Sequence, residues 1–329
     1  MSTLAATLEA FFSDRLPRQR GASPHTVAAY RDTFRLLLVF VHGRAGVAPS
    51  ELGFGDLDAA CVGAFLEHLE RDRGNGARTR NARLAAIHSF FRFAAFRHPE
   101  HADLIARVLA IPTRRVERAL VTFLTGPELE AILAAPDPGS RLGRRDRALL
   151  LLAAQTGLRL SELTGLTCGD VRLGVGPHVR CVGKGRKERT TPLTRPTVAV
   201  LRAWLVERGG APGEPLFPGR CGGRLSADAV QRLLAKHVAT AARHCPSLRG
   251  RRVTPHVLRH TSAMSLLRGG VDTTVIALWL GHEDARTTQI YLHADLSLKE
   301  RALARTAPPA TRLGRYRPPD RLLAFLEGL

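Results

Sequence analysis

The sequence predicts a mainly α protein with one small antiparallel β-sheet, arranged as a helical N-terminal domain followed by a larger second domain. Three observations predict it. Apolar residues recur at steps of three and four over most of the chain, as they do on one face of an α-helix. Residues that start and stop helices punctuate those runs. The pattern turns to strand-like alternation only between Val171 and Leu193, where VRL, HVRCV and ERTTPL follow one another and GKGRK forms the turn between the last two.

The N-terminal elements can be placed in order. Ser23 and Pro24 form a cap and first helical position, and Val27, Tyr30, Phe34, Leu37 and Val41 continue the stripe of a helix ending near Gly43. A second helix is expected over Leu57 to Leu69 and a third from Arg78 to Phe96, closed by His98 and Pro99. The third carries Arg78, Arg80, Arg83, Arg92 and Arg97 around an apolar stripe, which suits either a solvated basic face or a helix laid against phosphates. IPTRRVERA, from Ile111, is charged and poor in apolar residues and reads as a linker. The expected division is 1–112 for the helical domain, 113–120 for the linker, 121–300 for the second domain and 301–329 for a tail.

In the second domain TGPE at Thr125 is a capping box with Pro127 just inside the helix. RDRALLLLAAQTG reads as a buried helix stopped by Gly157, and SELTGL opens another. Beyond the strands, helices are expected at Pro196 to Glu207, at Ser226 to His244 and from Thr254 onward, with a short one from Asp272 to the Leu280-Gly281-His282 turn.

Composition bounds the partners. Lys and Arg number 49 against 29 Asp and Glu, a formal charge of +20, and nearly all of the cations are Arg. Such a surface suits a polyanion, nucleic acid above all, although a bias toward Arg codons would give the same balance. The five cysteines form no CxxC pair, which argues against a zinc ribbon or a disulfide framework and fits a reducing compartment. MSTLAATLEAFFSDRL lacks a basic start and a long apolar run, and ALLLLAA at 148–154 is too short to span a bilayer. A cytoplasmic protein without membrane association is expected.

One hexapeptide, PHVLRH at 255–260, bears directly on chemistry. His256 and His260 stand four apart, a spacing at which a helix can offer two imidazoles to one metal ion. A metalloprotease would carry a Glu beside the first His; here Val257, Leu258 and Arg259 intervene, and Arg259 shares the face of His256. A face of His and Arg without a carboxylate suits an anion. Arg159 in the TGLRLSEL turn, Lys184 in the GKGRK turn, His282 after a helix-ending Gly and Tyr291 nine residues on are further polar groups that packing alone leaves unemployed. Singly, each has a structural explanation: capping, solvation or core.

Together and in this order, TGLRLSEL, VGKGRKERTTPL, HVLRHTSAMSLLRGG, WLGH and TTQIYLH resemble the catalytic motifs of the tyrosine recombinase (phage integrase) family. The resemblance runs from about Thr125 to Asp295, and SPHTVAAYR with TRNARLAAIHSFFRF is similar to the family's SAM-like core-binding domain. It implies site-specific cleavage and rejoining of double-stranded DNA at paired inverted half-sites by a homo-tetramer, in integration, excision, transposition or resolution. Tyr291 would be the nucleophile forming a 3′-phosphotyrosyl link. Arg159 and Arg259 would neutralise the phosphate, His256 would take the phenolic proton, Lys184 would protonate the leaving 5′ oxygen, and His282 would donate to the phosphate. One phosphodiester is exchanged for another, so no ATP, metal or other cofactor is implied. Weaker candidates for DNA contact are Arg78, Arg80, Arg83, Arg92, Arg186 and Lys187.

Two alternatives share this chemistry or scaffold: a type IB topoisomerase-like relaxing enzyme, and a DNA-binding protein without catalysis. Family resemblance also bears on the tail, where DRLLAFLEGL reads as a helix capped by Asp320. Leu322, Phe325, Leu326 and Leu329 form an apolar stripe on it, expected either to fold back on its own domain or, by resemblance, to dock on a neighbouring subunit.

Overall fold

The computed structural model describes residues 3–116, 121–183, 188–281 and 288. Its contacts divide the chain into two compact units, Met1–Arg118 and Ala119–Leu329. Among the described residues the fold is helical apart from one three-stranded sheet, and no helix is long and apolar enough to cross a membrane.

The first unit opens with α1 (Thr3–Ala10), which widens into a π-type segment, Phe11–Gln19, containing Pro17. This pair was not anticipated, because a Pro inside the run breaks the periodicity that marks a helix. The segment brings Phe11 into the core. Next, α2 spans Pro24–Ala45: the Ser23 hydroxyl accepts from the Thr26 N–H at 3.2 Å, and Gly46, not Gly43, ends the helix in the left-handed region. Then follow α3 (Ala59–Arg71, capped by Asp58), α4 (Ala77–Ala95) and α5 (Ala102–Leu109). Helix α5 also escaped the sequence reading, since two turns buried through Ile105 and Val108 give too short a pattern to read.

An aromatic cluster holds these helices together. Phe11, Phe34 and Phe90 meet edge to face, with centroids 5.2 Å apart for Phe34 and Phe90 and 5.5 Å for Phe11 and Phe90; each such pair adds about 1 kcal/mol to the burial term. The arginines of α4 divide by position. Arg78 and Arg92 are exposed and Arg83 is half-buried, its Nη1 3.4 Å from the Thr33 hydroxyl. Arg80 lies in the interior, 8% exposed, donating to the Pro112 carbonyl at 3.2 Å and standing 3.6 Å from the Glu70 carboxylate. The expected phosphate contact by Arg80 is therefore replaced by an internal role, tying α4 to the segment that follows α5.

The second unit is built around α7 (Arg141–Thr156), whose Ala148, Leu149, Leu150 and Leu152 are buried. Before it comes α6 (Gly126–Ala134), opened by the anticipated reciprocal cap: the Glu128 N–H donates to the Thr125 hydroxyl and the Thr125 N–H to the Glu128 carboxylate. After it come α8 (Leu160–Gly165) and the sheet β1 (Val171–Arg172), β2 (His178–Val182) and β3 (Glu188–Pro192). All pairings are antiparallel, with Val179 opposite Thr191 and Cys181 opposite Arg189. Lys184, Arg186 and Lys187, between β2 and β3, lie outside the described residues.

Among the described residues the α-helices that follow are α9 (Arg195–Arg208), α10 (Ala227–Ala241), α11 (Pro255–Arg268) and α12 (Thr273–Leu280). Helix α11 packs on α7, α10 and α12. A buried polar network also joins α7 to α10: the Asp146 carboxylate accepts from Arg145 at 2.7 Å and meets His237 Nε2 at 2.9 Å.

Candidate active site

The site forms where the α7–α8 turn, the start of α11, the end of α12 and strand β3 converge. Each element ends there for a local reason. Gly157 closes α7 at φ +62°, and a Cβ on it would come within 2.6 Å of the Leu280 side chain. Arg159 then occupies the N-cap position of α8. Thr254 caps α11, so that His256 falls in its first turn and Arg259 one turn deeper. Helix α12 ends at Gly281, φ +64°, leaving its last carbonyls turned outward.

Those carbonyls fix the two arginines. Arg259, 3% exposed, donates from Nη1 to the Gly157 carbonyl and from Nη2 to the Leu280 carbonyl at 2.7 Å. Arg159 donates from Nη2 to the Gly281 carbonyl at 2.7 Å. Consecutive carbonyls at the negative end of α12 thus hold both guanidinium groups beside each other. The like charges are tolerated because a carboxylate lies behind them. Glu162 accepts from the Arg159 backbone N–H at 2.6 Å and from Arg159 Nη1 at 3.0 Å, while Arg189 on β3 grips both its oxygens at 2.7 Å. Burial alone would raise the Glu162 pKa; the bonds from Arg189 and Arg159 outweigh it and hold the carboxyl below its ordinary range.

In front of the arginines opens a cleft of about 320 Å³, lined by Leu158, Arg159, Leu160, Gln231, Thr254, Pro255, His256 and Arg259. His256 is exposed as a residue, yet partial desolvation of its ring, with the charges of Arg259 and Arg159, lowers its pKa. Its imidazole is therefore neutral at neutral pH and able to accept a proton. His260 sits behind it with ring centroids 4.6 Å apart at 73°. Burial, then the proximity of His256 and Arg259, pushes His260 down to about 4. No group of three or more His, Cys, Asp or Glu that could hold a metal occurs among the described residues.

Of the residues the sequence singled out, Arg159, His256 and Arg259 come together in one cleft, while Lys184, His282 and Tyr291 lie outside the described residues. Glu162, Arg189, Gln231 and Thr254 were not anticipated. Glu162 carried a readable signal, its position three residues after Arg159 being that of a reciprocal cap. Arg189 carried a fainter one: it shares the inward face of β3 with the buried Thr191, and an inward Arg requires an acid.

An open cleft walled by two anchored guanidinium groups and an imidazole of lowered pKa suits an oxyanion, which marks a broad class of proteins that bind one. Comparison with known proteins narrows the class. The phage integrase family model matches residues 122–297, and the phage integrase N-terminal SAM-like domain matches residues 8–98. The chain is 56% identical over 328 residues to the putative integrase/recombinase y4rC of Sinorhizobium fredii, covering 100% of this chain and 99% of that protein. It is 33% identical over 302 residues to the tyrosine recombinase XerD of Pseudomonas aeruginosa, covering 89% and 94%. Among solved structures, the Tn1549 transposon integrase in complex with transposon right-end DNA superposes with a TM-score of 0.67 at 17% identity, over 90% of this chain and 98% of that one, a likeness of fold. The chain belongs to the phage integrase family, the tyrosine recombinases, enzymes of site-specific DNA recombination.

Proposed function

We propose that the cleft binds the scissile phosphate of a double-stranded DNA site and that Tyr291 attacks it, giving a 3′-phosphotyrosyl link and a free 5′ hydroxyl. The observation that carries this reading is the pairing of Arg159 and Arg259 on successive carbonyls of the α12 terminus. Two fixed guanidinium groups can donate to the non-bridging oxygens as charge grows on them, without reorganising at the moment of reaction. His256, neutral in the cleft, receives the phenolic proton, which at an unperturbed pKa of about 10 must leave as the oxygen attacks. Lys184 protonates the departing 5′ oxygen and His282 donates to the phosphate; both roles rest on the motifs they occupy. A 5′ hydroxyl from a second DNA reverses the step on a new partner, so that cutting becomes strand exchange.

In this reading residues 1–112 and 121–300 are the two DNA-binding domains, joined by 113–120. Four copies of the chain hold two DNA sites, each with inverted half-sites, and the tail from residue 301 docks on a neighbouring copy. Arg78, Arg83, Arg92, Arg186 and Lys187 contact phosphates, and the protein acts in the cytoplasm. The sequence of the target site is found by the experiment that tests the reading: incubation with a library of nicked duplex fragments in EDTA, denaturation, and sequencing of whatever DNA stays covalently attached. Expected is one recurring site, attached through a 3′ phosphate. Attachment that needs added metal, or DNA held without a covalent bond, would overturn the mechanism. A plasmid lacking the site that is nevertheless relaxed would favour the topoisomerase reading.

A further inference from the structure

Arg189 has no place in the mechanism so far, yet it grips both oxygens of the carboxylate behind the site at 2.7 Å. Glu162 offers four acceptor positions, and all are filled: Oε1 by Nη1 of Arg159 and Nη1 of Arg189, Oε2 by the Arg159 backbone N–H and Nη2 of Arg189. The carboxylate is 2% exposed and Arg189 is 12% exposed, whereas a third of the Arg159 side chain faces solvent. Cys181, opposite Arg189 in the ladder, is buried and pushed up to about 11, so its thiol adds no charge.

Charge bookkeeping gives the consequence. With Arg189 present, the buried acid is matched by a buried base, and Arg159 keeps a net positive charge for the cleft. Without it, Glu162 would have, among the described residues, only Arg159 as a cation to pair with. The guanidinium would be drawn toward the acid and its field at the phosphate largely cancelled. Arg189 also lies close against the α12 terminus, since a Cβ on Gly281 would stand 2.7 Å from its Nη1. A strand position thereby bears on both anchors of Arg159: Glu162 and Gly281.

We propose that Arg189 is a positioning residue for DNA cleavage, neutralising Glu162 so that Arg159 keeps its charge and its orientation for the scissile phosphate. The proposal rests on the phosphate-binding role assigned above to Arg159.

The test is single-turnover cleavage of a nicked duplex carrying the site recovered by covalent trapping, for the full-length wild type, Arg189→Met, Glu162→Gln and the double variant. Thermal melting confirms that each is folded, and DNA affinity is measured alongside. Arg189→Met is expected to cut about tenfold or more slowly with affinity within about twofold, the signature of an interaction made in the transition state. Adding Glu162→Gln, which removes the unbalanced charge at constant shape, is expected to recover about tenfold of that loss. A role confined to packing predicts the opposite, two losses that accumulate. Where Arg189→Met melts before it can be assayed, Arg189→Lys serves: it retains the charge without the fork and is expected to lose less than about tenfold against the wild type, whereas a larger loss would overturn the charge account. Wild-type cleavage by Arg189→Met, or a double variant no better than the single one, would overturn the proposal alone. A wild-type chain that makes no covalent complex would overturn the phosphate-site reading and this proposal with it.

Discussion

At the residue scale, Arg159 and Arg259 are not equivalent. Arg259 is buried and holds two carbonyls, whereas Arg159 faces the cleft. Arg259→Ala should therefore slow cleavage and also lower the melting temperature, since a buried carbonyl left unpaired costs about 1–3 kcal/mol. Arg159→Ala should act mainly on rate, raising the barrier by about 3 kcal/mol or more, as the loss of one preorganised donor does elsewhere. Parallel melting curves and single-turnover rates separate the two, and an Arg159→Ala protein that cuts at the wild-type rate would remove that residue from the site. His256 makes a pH prediction. Its folded pKa is lowered from 6.5, so cleavage at subsaturating DNA, which reports the free enzyme, should hold its rate as pH falls through 6.5 and decline only below it. A midpoint at or above 6.5 would assign the proton acceptor elsewhere.

At the element scale, helix ends do the placing. Gly281→Ala would force a left-handed φ on a side chain and press a methyl group on Arg189, costing about 1–2 kcal/mol of backbone strain and disturbing the carbonyls that hold both arginines. Its cleavage rate should fall further than its melting temperature alone explains. Helix α11 carries a second consequence in His260, whose pKa is pushed from 6.5 to about 4. Above pH 6.5 the folded and unfolded chains are both neutral there. Between 6.5 and about 4 only the unfolded chain takes up the proton, so stability falls as pH drops through that window. His256 and His88 are lowered too and act in the same sense. Urea unfolding at pH 7.5 and pH 5 should show His260→Gln losing less than the wild type, by on the order of 1 kcal/mol; equal losses would contradict the shift.

What the sequence made legible follows from the same elements. The helix starts at Ser23, Thr125 and Thr254 and the stops at Gly157 and Gly281 were readable because caps are local chemistry. The strand pattern was readable because alternation has period two. The Pro17-bearing segment and the two-turn α5 were not, one lacking a regular period and the other too short to show it. Arg159, His256 and Arg259 could be named from motifs. That they are held by carbonyls of residues 280 and 281, and that Arg189 reaches back to Glu162, depends on distant segments meeting, which no spacing along the chain reveals.

At the scale of the whole molecule, charge sets the terms of binding. A chain of formal charge +20 that neutralises phosphates releases counterions, so the logarithm of affinity should fall linearly with the logarithm of salt, with a slope of about −0.9 per phosphate contacted. Arg92→Ala or Arg78→Ala should reduce that slope by about one and leave cleavage of bound DNA unchanged; an unaltered slope would return these arginines to a solvated face. The two family matches lie over 8–98 and 122–297; in the proposed function both units grip DNA and the second cuts it, and that proposal turns on the identity of the cutting atom. Proteolysis of the covalent complex, nuclease trimming and mass spectrometry of the modified peptide test it most directly. Expected is a nucleotide joined through a 3′ phosphate to Tyr291, and no adduct in Tyr291→Phe although that variant still binds DNA. An adduct on Tyr30 or Tyr316, on a serine, or surviving in Tyr291→Phe would contradict it.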